Sequence, residues 1–252
     1  MSASDNYRKA EVILAAEGMR RGLKYTMGVA PFKAVHDALL PTQKQALKGI
    51  CGERFDALMV KGSVISIAFA YKSYAVEAIA SGTEGHWDKE RWNTYSRAYA
   101  RLNDALNHTS CAIAEEIEGI SIPATIDSYT KADTVEEYYA TRVSHRVAAE
   151  LSGVGWRGKH ELIVSPLYGP AIRLASVLTT TPITRTPPAA QGCDECRACL
   201  DACPILANKH RLANYREQCR SYLAHLALED EICGKCIKAC MKDGKYSAQF
   251  RL

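Results

Sequence analysis

The chain has 252 residues, 47% of them hydrophobic and 24% charged, with a net charge of +4. These are the values of an ordinary globular chain, long enough for one large domain and a small one. So small a charge, with no dense basic run, leaves no footprint for nucleic acid, and no stretch approaches the roughly 18 apolar residues of a membrane span.

The first residues, MSASDNYRKAEVILAAEGMRRGLKY, lack an apolar core followed by a small-residue cleavage site. Arg20 and Arg21 form a twin-arginine pair, but no apolar run follows them, so they read as surface charge. A cytoplasmic protein without a membrane partner is expected. In that reducing compartment clustered cysteines read as metal or redox ligands rather than disulfides.

In chain order, Val12, Leu14, Ala15 and Met19 recur at helical spacing and predict a first helix over 5–23. Val64 to Tyr71 is a continuous apolar, β-branched run and predicts a buried strand. Residues 91–119 predict one long helix or two, with Leu102, Leu106, Ile113 and Ile117 facing the core. Residues 120–129 predict a short strand entering a loop. Residues 134–153 predict a helix capped by Gly153, and 161–180 two short strands around Pro166 and Pro170. Helices interleaved with a few strands indicate an α+β sandwich. The Thr- and Pro-rich stretch TTTPITRTPPAAQG (179–192) reads as a linker. The expected domains are therefore 1–186 and 187–252.

Of 10 cysteines, 8 follow that linker. Cys193, Cys196, Cys199 and Cys203, followed by Pro204, give C-x2-C-x2-C-x3-C-P. This is the bacterial ferredoxin run, in which the fourth cysteine ligates the other cluster of a pair. The second cluster then needs three more ligands. The assignment is Cys193, Cys196, Cys199 and Cys240 on one [4Fe–4S] cluster and Cys203, Cys219, Cys233 and Cys236 on the other, which uses every thiolate in the region. The competing reading is zinc, because two C-x2-C units can build a four-thiolate site. Cys51 and Cys111 stand alone and read as small buried hydrophobes.

VISIAFAY (64–71), LSGVGWRGKHELIVSPLYGP (151–170) and AIRLASVLTTTPI (171–183), followed by these cysteines, resemble in the same order the epoxyqueuosine reductase family and its relatives, the reductive dehalogenases. The resemblance covers most of residues 20–240, and the lone Cys219 in YREQCRSYL fits the epoxyqueuosine reductase pattern. It implies a nitroreductase-like sandwich of the cobalamin-binding type, followed by a small ferredoxin-like domain with two clusters. It also implies an enzyme in which electrons, delivered by a ferredoxin- or flavodoxin-type protein, pass through the clusters to a cobalamin for substrate reduction. The chain has no D-x-H-x-x-G motif, so a corrinoid here binds without a ligand of that type.

The resemblance also supplies site candidates. Gly153, Gly155 and Gly158 become a backbone cradle for the corrin edge, with Lys159 near its side chains or the substrate; the plain alternative is a helix-to-strand turn. Tyr168 and Gly169 are weighed as cofactor contacts against core packing. Arg173 is a pocket candidate whose alternative is an ion pair at the domain seam. Where the family carries a proton-donating aspartate, an ungapped count back from Gly153 lands on Tyr139, and a tyrosine can donate a proton. Tyr138 and Asp127 are its rivals, and the alternative is an amphipathic helix face. His145 on the next turn reads as structural.

The family's helical repeat that holds tRNA is not matched, since only twelve residues follow Cys240, which counts against tRNA as a partner. Two other readings stand beside the enzyme. One is an electron-transfer or corrinoid-handling protein serving a partner's cobalamin. The other is the same fold carrying a flavin, although G-x-G-x-x-G is absent.

Overall fold

The computed structural model, which describes residues 2–81 and 87–252, begins with helix α1 (Ala3–Arg21). The Ser2 hydroxyl accepts from the Asp5 N–H, and the Asp5 carboxylate accepts from the Ser2 N–H. Gly22, at φ 62°, ends the helix in the left-handed conformation. Arg20 and Arg21 both fold back on Glu17, Arg20 at 2.7 Å, so the pair is charge at a helix end.

Strand β1 (Tyr25–Pro31) follows, then the short helices α2 (Phe32–Ala38), α3 (Pro41–Cys51) and α4 (Phe55–Lys61), and strand β2 (Ser63–Ala70). After α5 (Ser73–Glu77), the 28-residue α6 (Lys89–Glu116) crosses the molecule as one helix and leads into β3 (Ile120–Ile122). The expected helix over 134–153 is two: α7 (Val135–Ala140) and α8 (His145–Leu151). The β-branched Thr141 and Val143 beside Ser144 favour helix weakly. Arg142, between them, is drawn to the Asp127 carboxylate. Strands β4 (Trp156–Arg157), β5 (Ile163–Val164) and β6 (Ile172–Thr179) follow. The cysteine-rich end carries α9 (Ala198–Asp201), α10 (Pro204–Ala207), α11 (Tyr215–Leu226) and α12 (Lys235–Asp243).

The main sheet has the order β1-β2-β6-β3, with every neighbouring pair antiparallel. β2 lies in its interior and is buried at all eight positions, which is why its sequence is a continuous run and does not alternate. Ile65, Ile67 and Phe69 pack with Leu14 of α1 and Leu102 and Leu106 of α6. Val64, on the opposite face, packs with Phe32 of α2 and Val147 of α8. Helices thus cover both faces of the sheet, the α+β layering expected. Beyond Thr179, the last residue of β6, the linker-like stretch has no regular element but is pinned to the sandwich. Its Thr186 N–H donates to Val29 O at 3.0 Å, and Pro182 O accepts from Asn6 at 2.8 Å.

The cysteine-rich segment shares the main core: Leu226, Leu228 and Ile237 belong to the same apolar cluster as Ile67. Trp92 of α6 donates to Cys233 O at 2.8 Å. Among the described residues, no helix is long and apolar enough to cross a membrane.

Candidate functional site

The eight clustered cysteines fall into two groups in space. Burial raises the Cys199 thiol to about 11 and Cys240 to about 12; for Cys199 the next influences are Cys193 and Cys196, and for Cys240 they are Cys199, Cys193 and Cys196. In the other group burial raises Cys219 to about 11, with Cys203 as its neighbouring thiol. Burial likewise raises Cys233 to about 12, with Cys219 and Cys203 beside it. Cys236 rises with burial too; Cys233, Cys219 and Cys203 act on it, and then Cys199 of the first group, so the groups adjoin. Among the described residues, no three His, Cys, Asp or Glu side chains converge on a point fit for a single metal ion. A zinc site draws its thiolates in to about 2.3 Å from one ion; a cubane holds them farther apart. The Lys245 N–H points at Cys196 Sγ at 3.4 Å, the backbone-to-sulfur contact that tunes cluster sites.

Cys51 is buried, as expected. Cys111 is not: it lies on the exposed side of α6, its thiol 3.7 Å from the Ser121 hydroxyl. The helix turns its opposite face, with Leu106 and Ile113, to the core.

Beside the second cysteine group lies a cavity of about 420 Å³, partly open to solvent and within the usual range of ligand pockets. Cys203, Cys219, Cys233 and Cys236 line one wall. The loop around Asp127, α7 and α8, and the start of β6 line the cavity as well. The break between α7 and α8 lets Tyr138 and Tyr139 enter from one helix and His145 and Arg146 from the other.

Three tyrosines meet there. The Tyr129 ring stands edge-on to Tyr138 at 4.8 Å and to Tyr139 at 5.8 Å. The Tyr129 and Tyr139 hydroxyls are 2.9 Å apart, and Arg146 Nη2 donates to the Tyr139 oxygen at 3.0 Å. Burial holds the Tyr129 and Tyr138 phenols well above their ordinary range. Tyr138 donates to Asp127 O at 2.9 Å and packs under Arg142, which pairs with the Asp127 carboxylate. Asp127 is therefore ion-paired and Tyr138 is committed to backbone, while Tyr139 and Tyr129 share a hydroxyl network at the cavity that Arg146 joins at the Tyr139 oxygen.

Arg173 is also in the wall, 4.1 Å over the Tyr99 ring. It donates to Asn103 Oδ1 at 2.9 Å and to Thr125 O. The expected alternative, an ion pair, is absent: among the described residues no carboxylate pairs with it, because its neighbours are an amide, a carbonyl and tyrosine rings. His145 is structural, its Nδ1 2.8 Å from the Ser176 hydroxyl and its Nε2 2.9 Å from Pro123 O. The carbonyl can only accept, so Nε2 carries the hydrogen. Burial pushes His145 and His160 down to about 4.

The remaining candidates do not line this cavity. A side chain at Gly153 (φ +75°) would put its Cβ 2.0 Å from Pro187 O; at Gly155, 2.3 Å from Val164 O; at Gly158, 2.6 Å from the His160 ring. These glycines admit the protein's own chain rather than a ligand edge, which is the plain helix-to-strand turn. Gly169 (φ +57°) faces Met241 and Phe250. The Tyr168 hydroxyl donates to Tyr25 O at 3.1 Å, and the half-buried Lys159 donates to Asp194 O. Sequence reasoning did not single out Arg146, Tyr129 or Lys235 as site residues. The Lys235 ammonium packs 4.3 Å from the Trp87 ring and 2.8 Å from the Tyr222 hydroxyl, between two cysteines of the second group.

No protein-family model matches the chain. It is 29% identical over 145 residues to an epoxyqueuosine reductase of Listeria monocytogenes, a match covering 56% of this chain and 35% of that protein. It is 33% identical over 93 residues to an epoxyqueuosine reductase of a Synechococcus, covering 37% and 29%. The chain thus matches about a third of the length of these relatives. The solved structure of epoxyqueuosine reductase from Streptococcus thermophilus superposes with a TM-score of 0.50 at 18% identity, over 96% of this chain and 68% of that one. The chain is thus similar in sequence to epoxyqueuosine reductases over about half its length and shares their α+β fold.

Proposed function

We propose that the chain is a reductase of the epoxyqueuosine reductase kind, in which electrons reach the cavity through two [4Fe–4S] clusters and a corrinoid. One observation carries the reading: four cysteines and a hydrogen-bonded tyrosine–arginine pair line the same ligand-sized cavity. Cys193, Cys196, Cys199 and Cys240 hold the outer cluster; Cys203, Cys219, Cys233 and Cys236 hold the one facing the cavity. The C-x2-C-x2-C-x3-C-P spacing from Cys193 to Pro204 supports cubanes over zinc. The 1–186 part is the nitroreductase-like sandwich and 187–252 the ferredoxin-like part, their shared core fixing the clusters against the cavity.

The cavity suits a flat group: rings of Tyr99, Tyr129 and Tyr139 lie around it, and buried polar atoms without partners, His160 Nε2 and Tyr215 Oη, sit in its walls. When bound, a corrinoid supplies reduced cobalt as a strong nucleophile and one-electron carrier. The corrin edge is not held by Gly153, Gly155 and Gly158, which are occupied by the chain itself.

The protein's own part is binding, exclusion of water and a proton. Tyr139 gives that proton from its hydroxyl. Arg146, already donating to the phenol oxygen, stabilises the phenolate that remains. The electrons come from a ferredoxin- or flavodoxin-type protein in the cytoplasm. The test is incubation of the reconstituted protein with cobalamin, a low-potential reductant and an epoxyqueuosine-bearing RNA stem-loop, read by mass spectrometry. Loss of the epoxide oxygen supports the reading. Reduced cobalt with an untouched epoxide would move the chain to another substrate.

A further inference from the structure

Lys235 follows Cys233 by two residues, directly precedes Cys236, and is only 7% exposed. A lysine this deep has to be held by its surroundings. Three aromatic rings do so. The ammonium lies 4.3 Å from the centre of the Trp87 ring, 5.2 Å from Trp92 and 5.5 Å from Tyr222, and it donates to the Tyr222 hydroxyl at 2.8 Å. Such cation–π contacts fix a long side chain that would otherwise sample many rotamers.

The cage is built onto the elements that carry the inner cysteines. Trp92 of α6 donates its indole N–H to Cys233 O at 2.8 Å. Tyr222 of α11 follows Cys219 by three residues, so the two share a helix face. Lys235 itself opens α12, one residue before Cys236. Lys235, Tyr222 and the four inner cysteines line the same cavity. The charge is thus anchored at the inner group by α6, α11 and α12. The outer group differs. Arg197 and Lys245, the cations beside Cys196, are exposed, where water and salt screen them.

Reduction of a four-thiolate cluster adds one negative charge, and a fixed cation close by stabilises the reduced form. We infer that Lys235 tunes the inner cluster, raising its reduction potential so that an electron rests beside the cavity. This rests on Cys203, Cys219, Cys233 and Cys236 holding a cluster, as proposed above. The step is one electron passing from a low-potential donor, which is oxidised, to the cluster, which is reduced; no bond breaks and no proton moves. Lys235 acts through the cluster and is not a catalytic residue.

The test is an anaerobic redox titration with dithionite, followed by EPR, on the reconstituted protein and on its Lys235→Met, Lys235→Gln and Lys235→Arg variants. The Cys219→Ala protein, which keeps the outer cluster, identifies the outer signal. In the two neutral variants the ratio of reduced to oxidised inner cluster at a fixed potential is expected to fall at least about tenfold, a midpoint lower by about 59 mV for one electron. The outer midpoint should stay in place, and Lys235→Arg should keep the inner midpoint near the parent's. An unmoved inner midpoint in either neutral variant with full iron overturns the proposal, and so does an equal shift of both clusters. Loss of the inner cluster from both neutral variants would make Lys235 an assembly residue and overturn it as well. A parent that binds only about four iron atoms fails the two-cluster reading itself, whereas about eight iron atoms with an unmoved inner midpoint fail this proposal alone.

Discussion

Arg146 and Tyr139 reach across the break between α7 and α8, with guanidinium nitrogen and phenol oxygen 3.0 Å apart. An unbroken helix would carry the two along one rigid face. The break instead presents both at the cavity, with Tyr129 2.9 Å from the same oxygen. A proton can leave Tyr139 while a fixed positive charge stands ready for the anion.

Tyr139→Phe is therefore expected to lower the single-turnover rate by about a hundredfold or more, the usual worth of a positioned acid. Iron content and corrinoid affinity should be unchanged. Tyr129→Phe should cost less, because it removes only a neighbour of the donor. Stopped-flow measurement with prereduced protein checks both; full turnover by the Tyr139 variant removes it as the donor.

Cys219→Ala should reduce bound iron from about eight to about four atoms per chain, since one cubane loses a ligand and the other keeps all four. Cys51→Ala and Cys111→Ala should keep about eight. Iron and sulfide analysis after anaerobic reconstitution reads this directly. Unchanged iron in the Cys219 variant would place the fourth ligand elsewhere.

His145 and His160 are buried neutral and pushed down to about 4. Because the folded pKa lies below the unfolded value, both contribute fully above about pH 6.5 and lose that contribution as pH falls towards the folded pKa. Between about pH 7.5 and 5.5 each should withdraw about 1 kcal/mol of stability. His145→Gln should flatten the slope by one histidine's share, measured by urea unfolding at the two values. An unchanged slope would mean that His145 protonates in the folded protein as easily as in the unfolded chain.

Gly153→Ala should cost about 2–4 kcal/mol, combining a left-handed backbone with overpacking against Pro187. The fraction that folds should bind cobalamin with parental affinity. Thermal unfolding and a corrinoid titration together check this, and a lost affinity in stable protein would restore the glycine to a cofactor contact.

The grouping of the cysteines was legible because it is mostly local: three cysteines two residues apart leave the chain little choice of shape. β2 was legible because burial on both faces writes an unbroken apolar run. β1 was missed, since Gly28 and Pro31 look like turn residues. Gly28 is there because a Cβ would lie 2.0 Å from Ser152 O, and Pro31 is tolerated at the end of an edge strand. The glycine turn is ambiguous in sequence for a related reason. A glycine that admits Pro187 looks in sequence like one that admits a ligand. The cavity is assembled from segments between Gln43 and Ile237, so no window of sequence contains it. Arg146 looked like one more basic residue of a helix until its bond to the Tyr139 oxygen could be seen.

The most direct measurement is an anaerobic titration of the reconstituted protein with cob(II)alamin, followed by EPR. The account predicts stoichiometric binding, a cobalt signal altered from that of the free cofactor, and its loss when dithionite reduces the clusters. Clusters that form and reduce while the cobalt spectrum stays that of free cob(II)alamin would contradict it.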